Sequence, residues 1–230
     1  MLNRNDALRT VCMFATQNGK GFIYGTGFFV RKGEKLFVVT AQHVSNGFNN
    51  TTEIIVMGNN GISKKDLLSN IQQGPTINHN NADVSVTPID EVKFNALQSI
   101  VIIFGYDLLN PTFTISRDVE LTAIGFANGM GTSLYFMPFT FRSFPSSNMI
   151  SNVILDNGKY KETAFFLENA GCGGFSGCPV IDLFYMASEG SVVEKEGIAI
   201  VYGIMHGTLS DATGGKMAIV TPSKYILDII

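Results

Sequence analysis

Gly171-Cys172-Gly173-Gly174-Phe175-Ser176-Gly177-Cys178-Pro179-Val180 is the stretch on which the reading of this chain turns. Ser176 lies among small residues, with glycine two positions before it and one after, then proline and the apolar pair Val180-Ile181. Glycine admits positive φ and lets a bound group come close to main-chain N–H groups. A serine held this way can present its hydroxyl while its own N–H and that of Gly174 face a developing oxyanion. The same residues also read as a glycine-rich turn between two strands, so on this stretch alone both readings stand.

Around it the chain reads as β structure. Short runs of β-branched and aromatic residues recur, separated by Gly, Asn and Asp. Strands are expected at 10–15, 21–30, 36–40, 53–57, 84–88 and 99–104, then at 119–126, 134–143, 149–155, 161–167, 179–183, 197–205 and 217–221. Asn18-Gly19-Lys20-Gly21 and Arg31-Lys32-Gly33-Glu34 read as hairpin turns. Helix is expected at the C-terminus, where Thr221 can cap, Pro222 fits the first position and Tyr225, Ile226, Ile229 and Ile230 share a face. Lys64–Gln73 offers at most a helical turn. Many short strands with turns between them favour a barrel or sandwich, and Asn110-Pro111 interrupts the pattern near Leu108–Thr112.

Composition narrows the function classes. The 230 residues are 45% hydrophobic and 15% charged, with 24 Gly and 18 Phe, which describes a folded chain able to bury a full core. A net charge of −3 gives no basis for a nucleic-acid or anionic-membrane partner. No apolar run reaches membrane-spanning length, and Met1–Asp6 opens no secretory signal. Three cysteines without a repeating spacing are unlike a secreted disulfide framework, so a reducing, cytoplasmic compartment is expected.

Three further blocks lie upstream of the serine: Gly25-Thr26-Gly27-Phe28-Phe29-Val30, then Leu36-Phe37-Val38-Val39-Thr40-Ala41-Gln42-His43-Val44, then Asn81-Ala82-Asp83-Val84-Ser85-Val86. With the serine stretch, and in the order His, Asp, Ser, they resemble the chymotrypsin/trypsin-like serine peptidases. The resemblance is closest to the disulfide-free branch of HtrA-type and bacterial trypsin-like domains. Members carry a Gly-Ser/Thr-Gly-Phe strand, a Thr-Ala-x-His block, an Asp-hydrophobic-x-hydrophobic block and a Gly-x-Ser-Gly-x-Pro block. His43, Asp83 and Ser176 stand 40 and then 93 positions apart, ordinary spacings for that family. The resemblance runs from about Gly25 to the C-terminus.

It implies an all-β fold of two antiparallel β-barrels with a short C-terminal helix. Residues 1–110 would form the first barrel, with His43 and Asp83, and residues 111–230 the second, with Ser176. The implied activity is serine endopeptidase, with a polypeptide substrate and no metal or cofactor. Ser176 would attack, His43 would carry its proton, and Asp83 would hold the other imidazole nitrogen. The N–H groups of Gly174 and Ser176 would bind the oxyanion. The strand Ile200–Gly207 would pair with the substrate backbone and wall the specificity pocket through Gly203, Met205 and His206. Its floor would fall near Asn169 and Ala170, neither charged, which argues against a trypsin-like demand for Arg or Lys. Related viral peptidases place a histidine on this strand to read Gln or Glu, at an offset one residue different from His206; packing or solvent exposure are its other readings.

Each residue also has a plainer reading. His43 could end a buried strand, and Asp83 could serve an Asn-rich turn. His79, flanked by Asn78, Asn80 and Asn81, reads as part of a solvated loop. Cys172 and Cys178 read as small packing residues, since a zinc site with His206 fits no compact zinc spacing. Animal trypsins carry, before the serine, an aspartate that pairs with a new N-terminus; here Phe175 stands there and cannot. How the oxyanion loop is ordered is thereby left open, and with it an activating partner or a catalytically silent fold used as a binding or scaffolding module. Gly125-Phe126-Ala127-Asn128-Gly129 resembles the Gly-x-Pro-x-Gly turn of the HtrA-like branch, with a structural role.

Overall fold

A computed structural model of the chain describes residues 4–109, 115–183, 185–188, 191–194 and 199–230. The first half carries β1 (Val11–Asn18), β2 (Gly21–Lys32), β3 (Lys35–Thr40), β4 (Glu53–Met57), β5 (Ser63–Leu67), β6 (Ile77–Asn78), β7 (Ser85–Ile89) and β8 (Phe104–Gly105). They form one sheet in the order β5-β4-β1-β2-β3-β7-β6, with β8 parallel to β2. The two hairpin turns read from the sequence join β1 to β2 and β2 to β3, pairing Asn18 with Gly21 and Lys32 with Lys35. Gly33 in the second turn sits at φ +59, the left-handed region that glycine enters without strain.

The second half carries β9 (Leu121–Gly125), β10 (Phe139–Ser143), β11 (Ile150–Leu155), β12 (Tyr160–Leu167), β13 (Pro179–Asp182), β14 (Tyr185–Ser188), β15 (Ser191–Glu194), β16 (Ile200–Ser210) and β17 (Lys216–Pro222). Seven of these build a second antiparallel sheet in the order β10-β9-β13-β16-β17-β12-β11, while β14 and β15 form a separate hairpin. The all-β class expected from the sequence is therefore observed. The expected division near Leu108–Thr112 falls largely outside the described residues.

Burial explains why these segments settle as strands. Phe14, Phe28, Phe29, Val39, Ile54 and Phe104 fill the core of the first sheet. Phe165, Phe175, Cys178, Val180, Met205 and Val220 fill a second cluster. Ile181, Ile204 and Phe126, from the second half, belong to the first cluster. The two halves thus share apolar packing along their seam, and each large side chain buried there contributes roughly 2 kcal/mol.

Three expectations are corrected and a fourth is met. Ser99–Phe104 is not one strand, because Ile100 bonds to the Met57 carbonyl and Ile102 to that of Arg9, leaving only Phe104 and Gly105 to pair with β2. Leu134–Ser143 is strand only from Phe139. Before it, the Leu134 carbonyl accepts from Ser63 and Phe136 donates to Gly61, which ties the segment to the first half. The helical turn expected within Lys64–Gln73 is present at Leu68–Ile71, after the strand Ser63–Leu67. The terminal helix spans Lys224–Leu227 with Ser223 at its N-cap; Thr221 and Pro222 remain in β17, the Thr221 hydroxyl being engaged by Glu162.

Candidate active site

His43 lies in the helical turn Gln42–Ser45, immediately after β3. Asp83 lies in the loop leading to β7, and β3 pairs with β7 so that Thr40 faces Ser85. This pairing carries the two residues to the same end of the sheet. The buried Asp83 carboxylate accepts the backbone N–H of His43 on Oδ1 at 2.8 Å and meets its Nδ1 through Oδ2 at 2.7 Å. His79 helps to shape the approach: its Nδ1 accepts the N–H groups of Asn81 and Ala82 at 3.1 and 3.0 Å. Its ring lies 4.9 Å from Tyr225, so it is part-buried rather than in a solvated loop.

Ser176 is delivered by the loop between β12 and β13, and the first half grips that loop. In β2, the Thr26 N–H donates to the Ser176 carbonyl at 2.9 Å and the Thr26 hydroxyl to the Gly174 carbonyl at 2.7 Å. The same hydroxyl oxygen accepts the Phe126 N–H at 3.2 Å. Thr40 in turn donates its hydroxyl to the Thr26 carbonyl at 2.7 Å. A side chain at Gly177, φ +86, would strike Thr40 Oγ1 at 2.2 Å and the Thr26 carbonyl at 2.3 Å. The Gly-Thr-Gly strand, the Thr-Ala lead-in to His43 and the glycine after the serine are therefore one interlocked joint. Phe175 orders the loop from below: it is fully buried, with its ring 4.7 Å from Phe141.

The preceding peptide is oriented by Asn128, whose N–H donates to the Gly173 carbonyl at 2.6 Å. In a trans peptide the N–H points opposite to the C=O, so the Gly174 N–H faces away from Asn128. Among the described residues, neither it nor the Ser176 N–H has a protein acceptor. Gly174 sits at φ +91, and a Cβ there would fall 2.1 Å from the Phe126 carbonyl. The Gly125–Gly129 turn is therefore the support of this loop.

Ser176 and His43 line a common cavity of about 520 Å³, with Asp156, His206 and Leu209 among its walls. The Ser176 hydroxyl donates to the His206 carbonyl at 3.1 Å. Among the described residues the His43 Nε2 has no protein partner, and the side chain is 32% exposed.

His206, one of the residues expected in the specificity pocket, lines the cavity with Ser176 and lies against the Asp83 carboxylate. Its Nδ1 meets Asp83 Oδ2 at 2.5 Å, its Nε2 stands 3.5 Å from Asp156, and its ring packs edge-on to that of His43 at 5.4 Å. Asp83 thus bridges two imidazoles. The ligand atoms of Asp83, His43 and His206 lie within 4.8 Å of one another, and direct hydrogen bonds join the carboxylate to both rings. The sequence reading also passed over Glu162. Its carboxylate accepts the Asp83 N–H at 2.7 Å and the Thr221 hydroxyl at 2.6 Å. The available signal was its place in β12, on the inward face with Tyr160 and Ala164.

Burial and charge set the protonation of this network. Burial alone would push the Asp83 carboxyl up, but hydrogen bonds from His206 and then His43 hold it well below the usual carboxylate range. For His206, burial opposes the charge, yet the Asp83 hydrogen bond and the charges of Asp83, Asp156 and Glu162 raise it. Burial pushes Glu162 up to about 7, against the hydrogen bonds from Thr221 and Asp83. Burial and the Asp83 charge also raise Tyr160.

The remaining pocket residues distribute as follows. Met205 is buried beneath Gly171, and Gly203 packs so tightly on Thr221 that a Cβ would lie 2.3 Å from its carbonyl. The Asn169 amide donates to the Arg142 carbonyl at 2.7 Å. Neither Asn169 nor Ala170 is among the residues lining the second cavity beside Ser176. Cys178 is fully buried, and Cys172 lines that second cavity.

The fold is the chymotrypsin-like double β-barrel of the HtrA-type and trypsin-like serine proteases. A tripeptide-bound form of the HtrA-type protease AlgW superposes with a TM-score of 0.63 at 17% identity, covering 97% of this chain and 60% of that one. The active form of a protease from M. tuberculosis gives 0.59 at 13%, covering 98% and 81%. A serine endoprotease from Yersinia pestis gives 0.53 at 17%, covering 98% and 64%. The chain therefore spans less than two thirds of the AlgW and Yersinia chains. No family model and no curated protein matches the sequence itself. No helix among the described residues is long and apolar enough to cross a membrane.

Proposed function

We propose that this protein is a serine endopeptidase in which Ser176, His43 and Asp83 act together. The observation that carries the reading is the Asp83 carboxylate bonded to both the backbone and the Nδ1 of His43, with that imidazole and Ser176 facing one cavity. The Asp83 bond fixes the proton on Nδ1 and leaves Nε2 as the base. Rotation of the Ser176 hydroxyl from the His206 carbonyl toward Nε2 starts the reaction. Ser176 Oγ then bonds to the substrate carbonyl carbon as its proton passes to His43. The electron pair displaced onto the carbonyl oxygen is met by the N–H groups of Gly174 and Ser176. Collapse breaks the C–N bond, and His43 returns the proton to the leaving amine. Water, deprotonated by His43, releases the acyl group and restores the hydroxyl.

Two N–H groups without protein acceptors among the described residues, on a loop fixed by Thr26, Asn128 and Phe175, favour the enzyme over a silent fold. Phe175 burial also supports a loop ordered without an N-terminal ion pair, so an activating partner is not required by this reading. Incubating an unfolded protein substrate with the purified chain and with its Ser176→Ala variant tests it. Fragments should appear with the former alone; equal cleavage by both would refute the role of Ser176.

A further inference from the structure

Two openings meet at Ser176. The first, of about 520 Å³, contains His43 and His206. The second, of about 490 Å³, is walled by Gly171, Cys172 and Gly173 on one side and by Thr208, Ser210 and Lys216 on the other. On the peptidase reading, which this inference rests on, their placement distinguishes them. Gly207 and Thr208 of β16 line both openings, but the second is the one enclosed between that strand and the loop that carries Ser176, so the residue before the cut, whose carbonyl carbon Ser176 attacks, is placed there.

The walls of that second opening carry one kind of charge. In the β16–β17 ribbon Ser210 pairs with Lys216, and Thr208 with Ala218. Side chains at 208, 210 and 216 accordingly stand on one face of the ribbon. The Thr208 hydroxyl bonds to the Gly171 carbonyl at 3.3 Å, tying this face to the glycine wall. Lys216 is the one residue bearing an ammonium or carboxylate among those lining the opening, and among the described residues no acidic group pairs with it. The neighbouring acid, Asp211, is engaged by its own loop. Its Oδ1 accepts the Thr213 N–H at 2.8 Å, the Thr213 hydroxyl at 2.7 Å and the Gly215 N–H at 3.0 Å. An incoming Lys or Arg would meet like charge, and an aliphatic side chain would strip water from an ammonium with nothing in return.

We propose that the enzyme cleaves after acidic residues, with Lys216 meeting the substrate carboxylate and the Ser210 hydroxyl adding a donor. Substrate would cover the exposed Lys216 and so strengthen a pair that is weak in open solvent.

Four peptides that differ only in the residue before the cut (Glu, Gln, Lys or Leu) test this through kcat/KM. The Glu peptide should exceed the Gln peptide by about tenfold or more at low salt, and the ratio should shrink as salt rises. Lys216→Gln should bring the ratio close to one, and Lys216→Glu should turn the preference toward Lys. A wild-type ratio near one, or an acidic preference that survives in Lys216→Gln, would overturn the assignment while leaving proteolysis standing. If no peptide is cleaved and Ser176 reacts with no fluorophosphonate, the peptidase reading fails and takes this inference with it.

Discussion

Thr26 is the point at which one half of the molecule holds the reactive loop of the other, and Thr26→Val isolates that function. Valine keeps the size and β-branching but removes Oγ1. Two groups then lose their partner: the Gly174 carbonyl, bonded at 2.7 Å, and the Phe126 N–H, bonded at 3.2 Å. Thr26 itself is fully buried, so water cannot replace the hydroxyl without opening the seam. A buried polar group left unpaired costs about 1–3 kcal/mol, and the Gly174 carbonyl is only part-buried, so a loss of roughly 3 kcal/mol is expected. For a chain of this size that is about 6–12 °C in Tm. Catalysis should suffer separately, because in the proposed mechanism Gly174 supplies one oxyanion donor. A displacement of about 1 Å there lowers kcat by on the order of 10²-fold. Urea unfolding at neutral pH and kcat/KM on one peptide read the two effects. Thr26→Ser retains the hydroxyl and should keep most of both. A Thr26→Val protein as stable and active as wild type, or a Thr26→Ser protein equally impaired, would refute the reasoning.

The remaining predictions concern the buried charges. Glu162 rises from 4.5 to about 7 on folding, so the native state holds its proton longer than the unfolded chain does. Its contribution is fully present below pH 4.5 and is lost as pH climbs to about 7, a decline of roughly 3 kcal/mol. Glu162→Gln mimics the protonated form and should flatten Tm against pH across that window; an unchanged slope would contradict it. His206 is also raised, from 6.5, so its contribution is full below pH 6.5 and lost as pH rises through its native value. Melting curves of His206→Gln should lack that further decline above pH 6.5, and a decline equal to wild type would count against an imidazolium bonded to Asp83.

How much of this was legible in the sequence depends on the range of the interaction. Glu53–Met57 and the two hairpin turns follow from local pattern and appear where that pattern puts them. The blocks around His43, Asp83 and Ser176 were recognisable as motifs, but motif order does not reveal why Thr26 and Thr40 stand in them. Their hydroxyls bind partners far along the chain or on a neighbouring strand, 148 positions away in the case of Gly174. His206 shows the same limit. The resemblance put it on a pocket wall, and only the fold reveals Asp83 beside it, 123 positions earlier. The C-terminal cap was misplaced for a related reason. Thr221 looks like a capping residue locally, but its hydroxyl is held by Glu162, 59 positions before it.

Intact mass after exposure to a fluorophosphonate is the most direct test of an activated serine. One adduct should form, map to Ser176, vanish in Ser176→Ala and slow greatly in His43→Ala. A folded wild-type chain that takes up no adduct, or a Ser176→Ala chain that still does, would contradict the account.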